Sequence, residues 1–205
     1  MKATKKATNK YLEKLTKAAN EYGVYKVCKG ILEDPRFVVW SGSSKPYQHH
    51  YGKGGLVQHT SEVADLCRAV RLYYFMRDLE IDPKELFLSA FFHDVGKMYD
   101  YEPQTLIDHP YCPDYHHWRS TQHKRMIHHI SRSALIWSEN AKKDKTIYKE
   151  YHDKVLHAIL AHHNCSEAGS PVAPKSRVAW LVTLCDNLSA RMRDAHTFDI
   201  IKGEL

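Results

Sequence analysis

The stretch FFHDVGK, residues 91–97, carries an apolar run straight into an adjacent His93 and Asp94, then turns at Gly96 and adds Lys97. An unpaired carboxylate at an apolar helix end costs several kcal/mol, whereas a paired or ligated one does not. The doublet therefore demands partners. Candidates stand wherever another apolar helical pattern is interrupted: His59 on the stripe of Val63, Leu66 and Val70, His128 or His129 after RMI, His162 and His163 after AIL, and Asp186 inside LVTLCDNLSA. Any one of them alone reads as a satisfied core histidine or a locally bonded aspartate. Their order on successive helical segments, His, His-Asp, His, His-His, Asp, points to one convergence. Imidazole nitrogens and carboxylate oxygens together suit a divalent first-row metal, and one carboxylate can bridge two ions.

The segments that carry these residues are helical by period. Tyr11, Leu12, Leu15, Ala18, Ala19 and Tyr22 recur at three- and four-residue steps, and LVQHTSEVADLCRAVRLYYFM (56–76) continues the pattern. Asp82 and Pro83 read as the N-cap and first residue of KELFLSAFF, with Gly96 as its stop. QHKRMIHHISRSALIW (122–137) is predicted as one helix with Met126, Ile130, Ala134 and Trp137 on a common face, and Val155, Ile159 and His163 are in register on the next. A last helix follows the turn residues of SPVAPKS. VYKVCKGI and RFVVW, short and β-branched, are predicted as a small hairpin around LEDP. Between Met98 and His123 the period lapses into a Tyr-, His- and Pro-rich segment, an ordered irregular insertion after the doublet. Its His109, Cys112, His116 and His117 form a second grouping for zinc whose spacing matches no well-defined site. The fold class is all-α, a bundle of five to seven helices.

Composition narrows the setting. At 205 residues the chain is sized for one domain, 1–205. The formal charge of +6 suits an anionic ligand, but much of the excess sits in Lys2, Lys5, Lys6, Lys10, Lys14 and Lys17 and in KKDK at 142–145, which read as solvated faces. The cysteines, Cys28, Cys67, Cys112, Cys165 and Cys185, are odd in number and form no CxxC pair, as expected in a reducing, intracellular compartment. The N-terminus lacks an apolar signal core, and no run of about eighteen apolar residues exists, so a soluble, cytoplasmic protein with no membrane partner is expected.

Four motifs, HHYGKGGLVQHT (49–60), HDVGK (93–97), HHN (162–164) and LCDNLSARM (184–192), resemble those of the HD-domain metal-dependent phosphohydrolases, helical enzymes named for their His-Asp doublet. The likeness covers roughly residues 47–193 and is nearest to the branch containing the HD-domain 3′-to-5′ exoribonucleases, in which a GSPV turn, here 169–172, precedes the last Asp. Carried over by position, it implies His59, His93, Asp94 and Asp186 as the core metal ligands. His129 and His162, with His163 beside it, would serve a second ion, and Asp94 would bridge the two. The choice of His129 over His128 comes from the resemblance; periodicity does not separate them. Divalent Mn, Fe, Co, Ni, Zn or Mg is the implied cofactor. Asp94 and Lys97 are the expected catalytic residues, and Lys97, His49, His50 and Lys53 the expected substrate contacts.

The resemblance also sets the expected reaction, in which a metal-activated water attacks a phosphoester and no nucleophilic side chain is needed. About fifty residues precede the signature, too few for the OB-fold that generally precedes the catalytic domain in the exoribonucleases. The expected substrate therefore shifts from RNA to a nucleotide, with mono- or triphosphates ahead of cyclic ones. A 3′-to-5′ exonuclease on short single strands and a non-catalytic nucleotide- or partner-binding module are the alternatives. Tyr99, Tyr101, Tyr111, Tyr115 and Trp118 are available to stack a base or simply to hold the insertion together. The oligomeric state is open, a homo-oligomer included.

Overall fold

The computed structural model describes residues 2–46, 48–105, 116–164, 166 and 169–192. Three helices come first, α1 (Lys2–Glu21), α2 (Tyr25–Leu32) and α3 (Pro35–Val39). A loop leads to the long α4 (Gly55–Phe75) and then α5 (Pro83–Phe92) and the short α6 (Lys97–Asp100). A hairpin of β1 (Tyr101–Thr105) and β2 (His116–Ser120) is followed by α7 (Gln122–Met126), α8 (His128–Ala141), α9 (Lys145–Ala161) and α10 (Arg177–Arg191). The expected all-α class holds, with one two-stranded antiparallel sheet in register Tyr101↔Ser120 to Thr105↔His116 among the described residues.

α5 is the axis of the molecule. Asp82 caps it by accepting from the backbone N–H groups of Lys84 (2.8 Å) and Glu85 (3.2 Å), and Pro83 occupies the first turn, where no donor is needed. Every residue from Leu86 to Phe92 is buried. One face, with Phe87, Leu88, Phe91 and Phe92, packs into a core shared with Trp137, Val155, Ile159 and the N-terminal helices. The opposite face, with Leu86 and Ala90, packs against Val63, Cys67, Ala158, Val178 and Val182. Truncating a ring such as Phe91 to Ala would cost about 3–5 kcal/mol. The consequence for the site is a helix whose end, His93 and Asp94, is held from both sides.

Three expectations are corrected. The segments around LEDP form α2 and α3, not a hairpin, because Val27, Cys28, Ile31 and Leu32 make a helical stripe and Asp34 caps α3 ahead of Pro35. The β-branched residues there serve packing. Residues 122–137 are broken in two, since Ile127 and His128 leave helical geometry (His128 φ 67°), and Met126 is exposed instead of sharing the buried face of Ile130 and Trp137. Gly96, expected to stop α5, lies beyond the helix end at Phe92 and keeps right-handed angles (φ −63°, ψ −19°). It is needed because a Cβ there would run into the backbone of His129. The irregular insertion is bounded by β1 and β2, and the zinc grouping of His109, Cys112, His116 and His117 lies outside the residues whose side chains are described. No helix among the described residues is long and apolar enough to cross a membrane.

Candidate metal centre

Asp94 stands in the turn after α5, 1 % exposed, and its two carboxylate oxygens face different groups. Toward Oδ2 come His59 Nε2 from α4 (3.1 Å), His93 Nε2 (3.4 Å) and Lys97 Nζ (2.5 Å). Asp186 of α10 closes this half, with Oδ1 at 3.0 Å from His59 Nε2 and 3.7 Å from His93 Nε2. Toward Oδ1 come His129 Nε2 from α8 (3.3 Å) and His162 Nε2 just past α9 (3.6 Å). Five separate elements therefore deliver their polar interruptions to one carboxylate.

The far nitrogen of each ring sets which atom faces Asp94. His93 Nδ1 and His162 Nδ1 each donate to a carbonyl three residues back, Ala90 and Ile159, both at 2.7 Å. A carbonyl only accepts, so the Nε2 atoms of these rings, when neutral, carry the lone pair. His129 Nδ1 is held by Asp100 Oδ2 at 3.1 Å. His59 Nδ1 lies 3.3 Å from Ser189 Oγ, which in turn donates to Glu62 Oε2 at 3.3 Å. Ligand orientation of this kind is built by the surrounding shell.

The two buried carboxylates hold positive charge around them. Burial pushes the Asp94 carboxyl up, yet Lys97 and His93, with the rings of His162 and His59 close by, hold it well below the usual carboxylate range. Asp186 is likewise raised by burial and carried well below that range by His59 and His93. Burial lowers His93, but Asp94 and Asp186 reverse this and hold it up to about 10. His129 has no such pair of carboxylates, and burial, only partly offset by Asp100, takes it down to about 3. One half thus binds a proton avidly and the other presents a neutral imidazole.

Of the buried side-chain atoms without a hydrogen-bond partner among the described residues, four gather here: both oxygens of Asp94, His129 Nε2 and His162 Nε2. Lys97 Nζ is close to Oδ2 without hydrogen-bond alignment. Orphaned buried polar atoms are costly, and His129 Nε2 and His162 Nε2 face Asp94 Oδ1 with a donor set that suits a divalent ion. Ligand atoms of His59, His93, Asp94 and Asp186 lie within 4.8 Å of one another, as do those of His129, His162 and His163.

The remaining expected residues fall in different places. His128 is half-buried with its ring against that of His129 (4.1 Å between centroids), so of the two only His129 directs Nε2 at Asp94. His49 and His50 join the rim, their rings 5.4 and 4.8 Å from that of His59, and His50 Nε2 meets Glu62 Oε2 at 2.8 Å. Burial first, then Lys97 and His59, lower His49 to about 2; burial, despite Glu62, lowers His50 to about 4. Lys53 is exposed in the loop. Trp118 and Tyr101 are buried, Trp118 against Trp40 (5.4 Å), so they hold the hairpin down instead of offering a face for a base. Tyr99 lies between the guanidinium groups of Arg36 and Arg132, each 4.8 Å from its ring, while Tyr111 and Tyr115 lie outside the described residues. Asp100, Glu62 and Ser189, which back the histidines of the cluster and its rim, had no signal in the pattern, because nothing in a helical period distinguishes a supporting carboxylate from a solvated one.

A family model described as HD domain matches residues 56–191, a span that contains every residue facing Asp94. No solved structure matches the chain.

Proposed function

The chain belongs to the HD-domain family, whose members are in general metal-dependent phosphohydrolases, and from that premise we propose that it cleaves a phosphoester of a nucleotide, mono- or triphosphates ahead of others, using two divalent ions. The observation that carries the second ion is Asp94 itself, whose two oxygens, both without a hydrogen-bond partner, face two separate sets of side chains, the Oδ1 set with unpartnered Nε2 atoms on His129 and His162. His59, His93 and Asp186 would hold one ion, and His129 and His162, with His163 adjacent, the other.

Ions bound there would lower the pKa of a water for in-line attack and screen charge on the phosphoryl group. The chain supplies the rest. Lys97 is buried and kept cationic by Asp94, so its ammonium is fixed beside the ligand sets where a phosphate oxygen would lie. His49 and His50, neutral at the rim, offer hydrogen bonds without adding charge. Preference for a nucleotide is supported by the likeness of HHYGKGGLVQHT and GSPV to the nucleic-acid-cleaving branch of the family.

A panel of nucleoside mono-, di- and triphosphates, cyclic nucleotides and short oligonucleotides, assayed with Mn, Co, Ni, Zn and Mg, tests the reading. Turnover on a mononucleotide is expected, and Asp94→Ala should reduce it by about a thousandfold or more, since both ions lose their common ligand. Wild-type and variant chains equally inert on every phosphoester would reject enzymatic function in favour of a binding module.

A further inference from the structure

The face of His129 turned away from Asp94 ends a chain of hydrogen bonds in which each proton position follows from its neighbour. Arg132 begins it. A guanidinium only donates, so Arg132 Nε, 3.0 Å from His123 Nε2, makes that nitrogen an acceptor. His123 must then carry its proton on Nδ1, which meets Asp100 Oδ1 at 2.9 Å. The other oxygen of Asp100 accepts twice from His129, from the backbone N–H and from Nδ1, both at 3.1 Å. Asp100 is fully buried, and Arg132 is itself anchored over the Tyr99 ring. What remains is His129 Nε2, bare, buried and 3.3 Å from Asp94 Oδ1.

We propose that Asp100 is a positioning residue that fixes His129 as the Nδ1–H tautomer, and that Arg132, acting through His123, prevents the alternative setting. The proposal rests on the reading of His129 as a metal ligand. Its physical content lies in counting donors and acceptors. Asp100 offers two acceptors to three N–H groups, whereas an amide in its place offers one acceptor and one donor. While Arg132 donates to Nε2, His123 keeps its Nδ1–H, so in Asp100→Asn the amide oxygen stays with His123 and the amide NH2 confronts His129. The imidazole relieves that conflict by moving its proton to Nε2, where it blocks ligation.

The test uses the full-length chain in two measurements. Nitrogen-15 NMR of the imidazoles after EDTA treatment should show Nδ1–H on both His123 and His129 in the wild type, and Nε2–H on His129 in Asp100→Asn. Titration with Mn2+ alone should show two sites in the wild type, with the weaker lost by roughly 10–100-fold in Asp100→Asn and the tighter unchanged. Adding Arg132→Met to Asp100→Asn frees His123 to turn, lets the amide donate to His123, and should restore roughly tenfold of the lost affinity.

A wild-type His129 carrying Nε2–H, or an Asp100→Asn chain with both Mn2+ affinities intact, overturns the relay and leaves the proposed function standing. Loss in the single variant without recovery in the double makes Asp100 merely structural and also overturns it. A wild-type chain that takes up no Mn2+ overturns the relay and the metal reading together.

Discussion

The two sides of Asp94 are built from different materials. On the Oδ2 side two carboxylates, Asp94 and Asp186, converge on His59 and His93 at 3.0–3.7 Å. On the Oδ1 side two imidazoles face a single carboxylate oxygen at 3.3 and 3.6 Å, and their Nε2 atoms have no hydrogen-bond partner. The first side draws its ligands from the long α4, the end of α5 and α10; the second draws them from a helix start next to a left-handed residue and from the residue just past α9. Charge and rigidity both favour the first. On the two-ion reading proposed above, the contrast predicts unequal affinities, with the Oδ2 side the tighter.

The sharpest way to break this contrast is to remove one ligand from each side. Asp186→Asn should weaken the tighter Mn2+ site by at least about 100-fold and so lower occupancy of both, whereas His162→Ala should remove the weaker ion and leave the tighter within about threefold. Calorimetric titration of both variants checks this; equal losses at one site in each variant would make the two sides a single centre. A backbone change sharpens the same point. Gly96→Ala drives a methyl group into the backbone of His129, so it should weaken only the Oδ1 side, by roughly tenfold, at a stability cost of about 1–3 kcal/mol read from urea unfolding.

The smallest expected effect is in the dependence of metal-free stability on pH. His93, held up to about 10 by Asp94 and Asp186 against burial, contributes stability that is full below about 6.5 and lost as pH rises through about 10. His129, pushed down to about 3 by burial, acts oppositely: the unfolded chain takes up its proton first, so stability is lost as pH falls below 6.5 toward 3. Asp94 and Asp186 add to the acid loss below the ordinary carboxylate range. Melting temperatures of EDTA-treated protein should decline on both sides of neutrality. Mn2+ should flatten the alkaline decline, since the ion replaces the proton on His93; identical alkaline slopes with and without Mn2+ would refute the exchange.

Much of this was legible in the chain. α5 could be read because an Asp-Pro start precedes an unbroken apolar run, and His59, Asp94 and Asp186 could be read because each interrupts such a run. The α2 and α3 segments could not, since β-branched content masked a stripe at helical spacing. Nor could His128 be parted from His129, because the break at Ile127 exists only once Gly96 and Asp100 dock on the start of α8. Asp100 meets His129 across 29 residues and Glu62 meets His50 across 12, pairings between side chains that no local pattern announces. Supporting groups are invisible to periodicity because they satisfy atoms that the period does not describe.

α5 separates two packed interiors and leads directly into Asp94, so an ion captured there would tighten both at once. A bound ion at a hundred times its dissociation constant adds about 2.7 kcal/mol to the folded state, a sizeable share of what a chain of this length has to spare. Metal starvation would then shorten the lifetime of the protein against proteolysis as well as slow its turnover. Cellular abundance of this chain should track the supply of its ion.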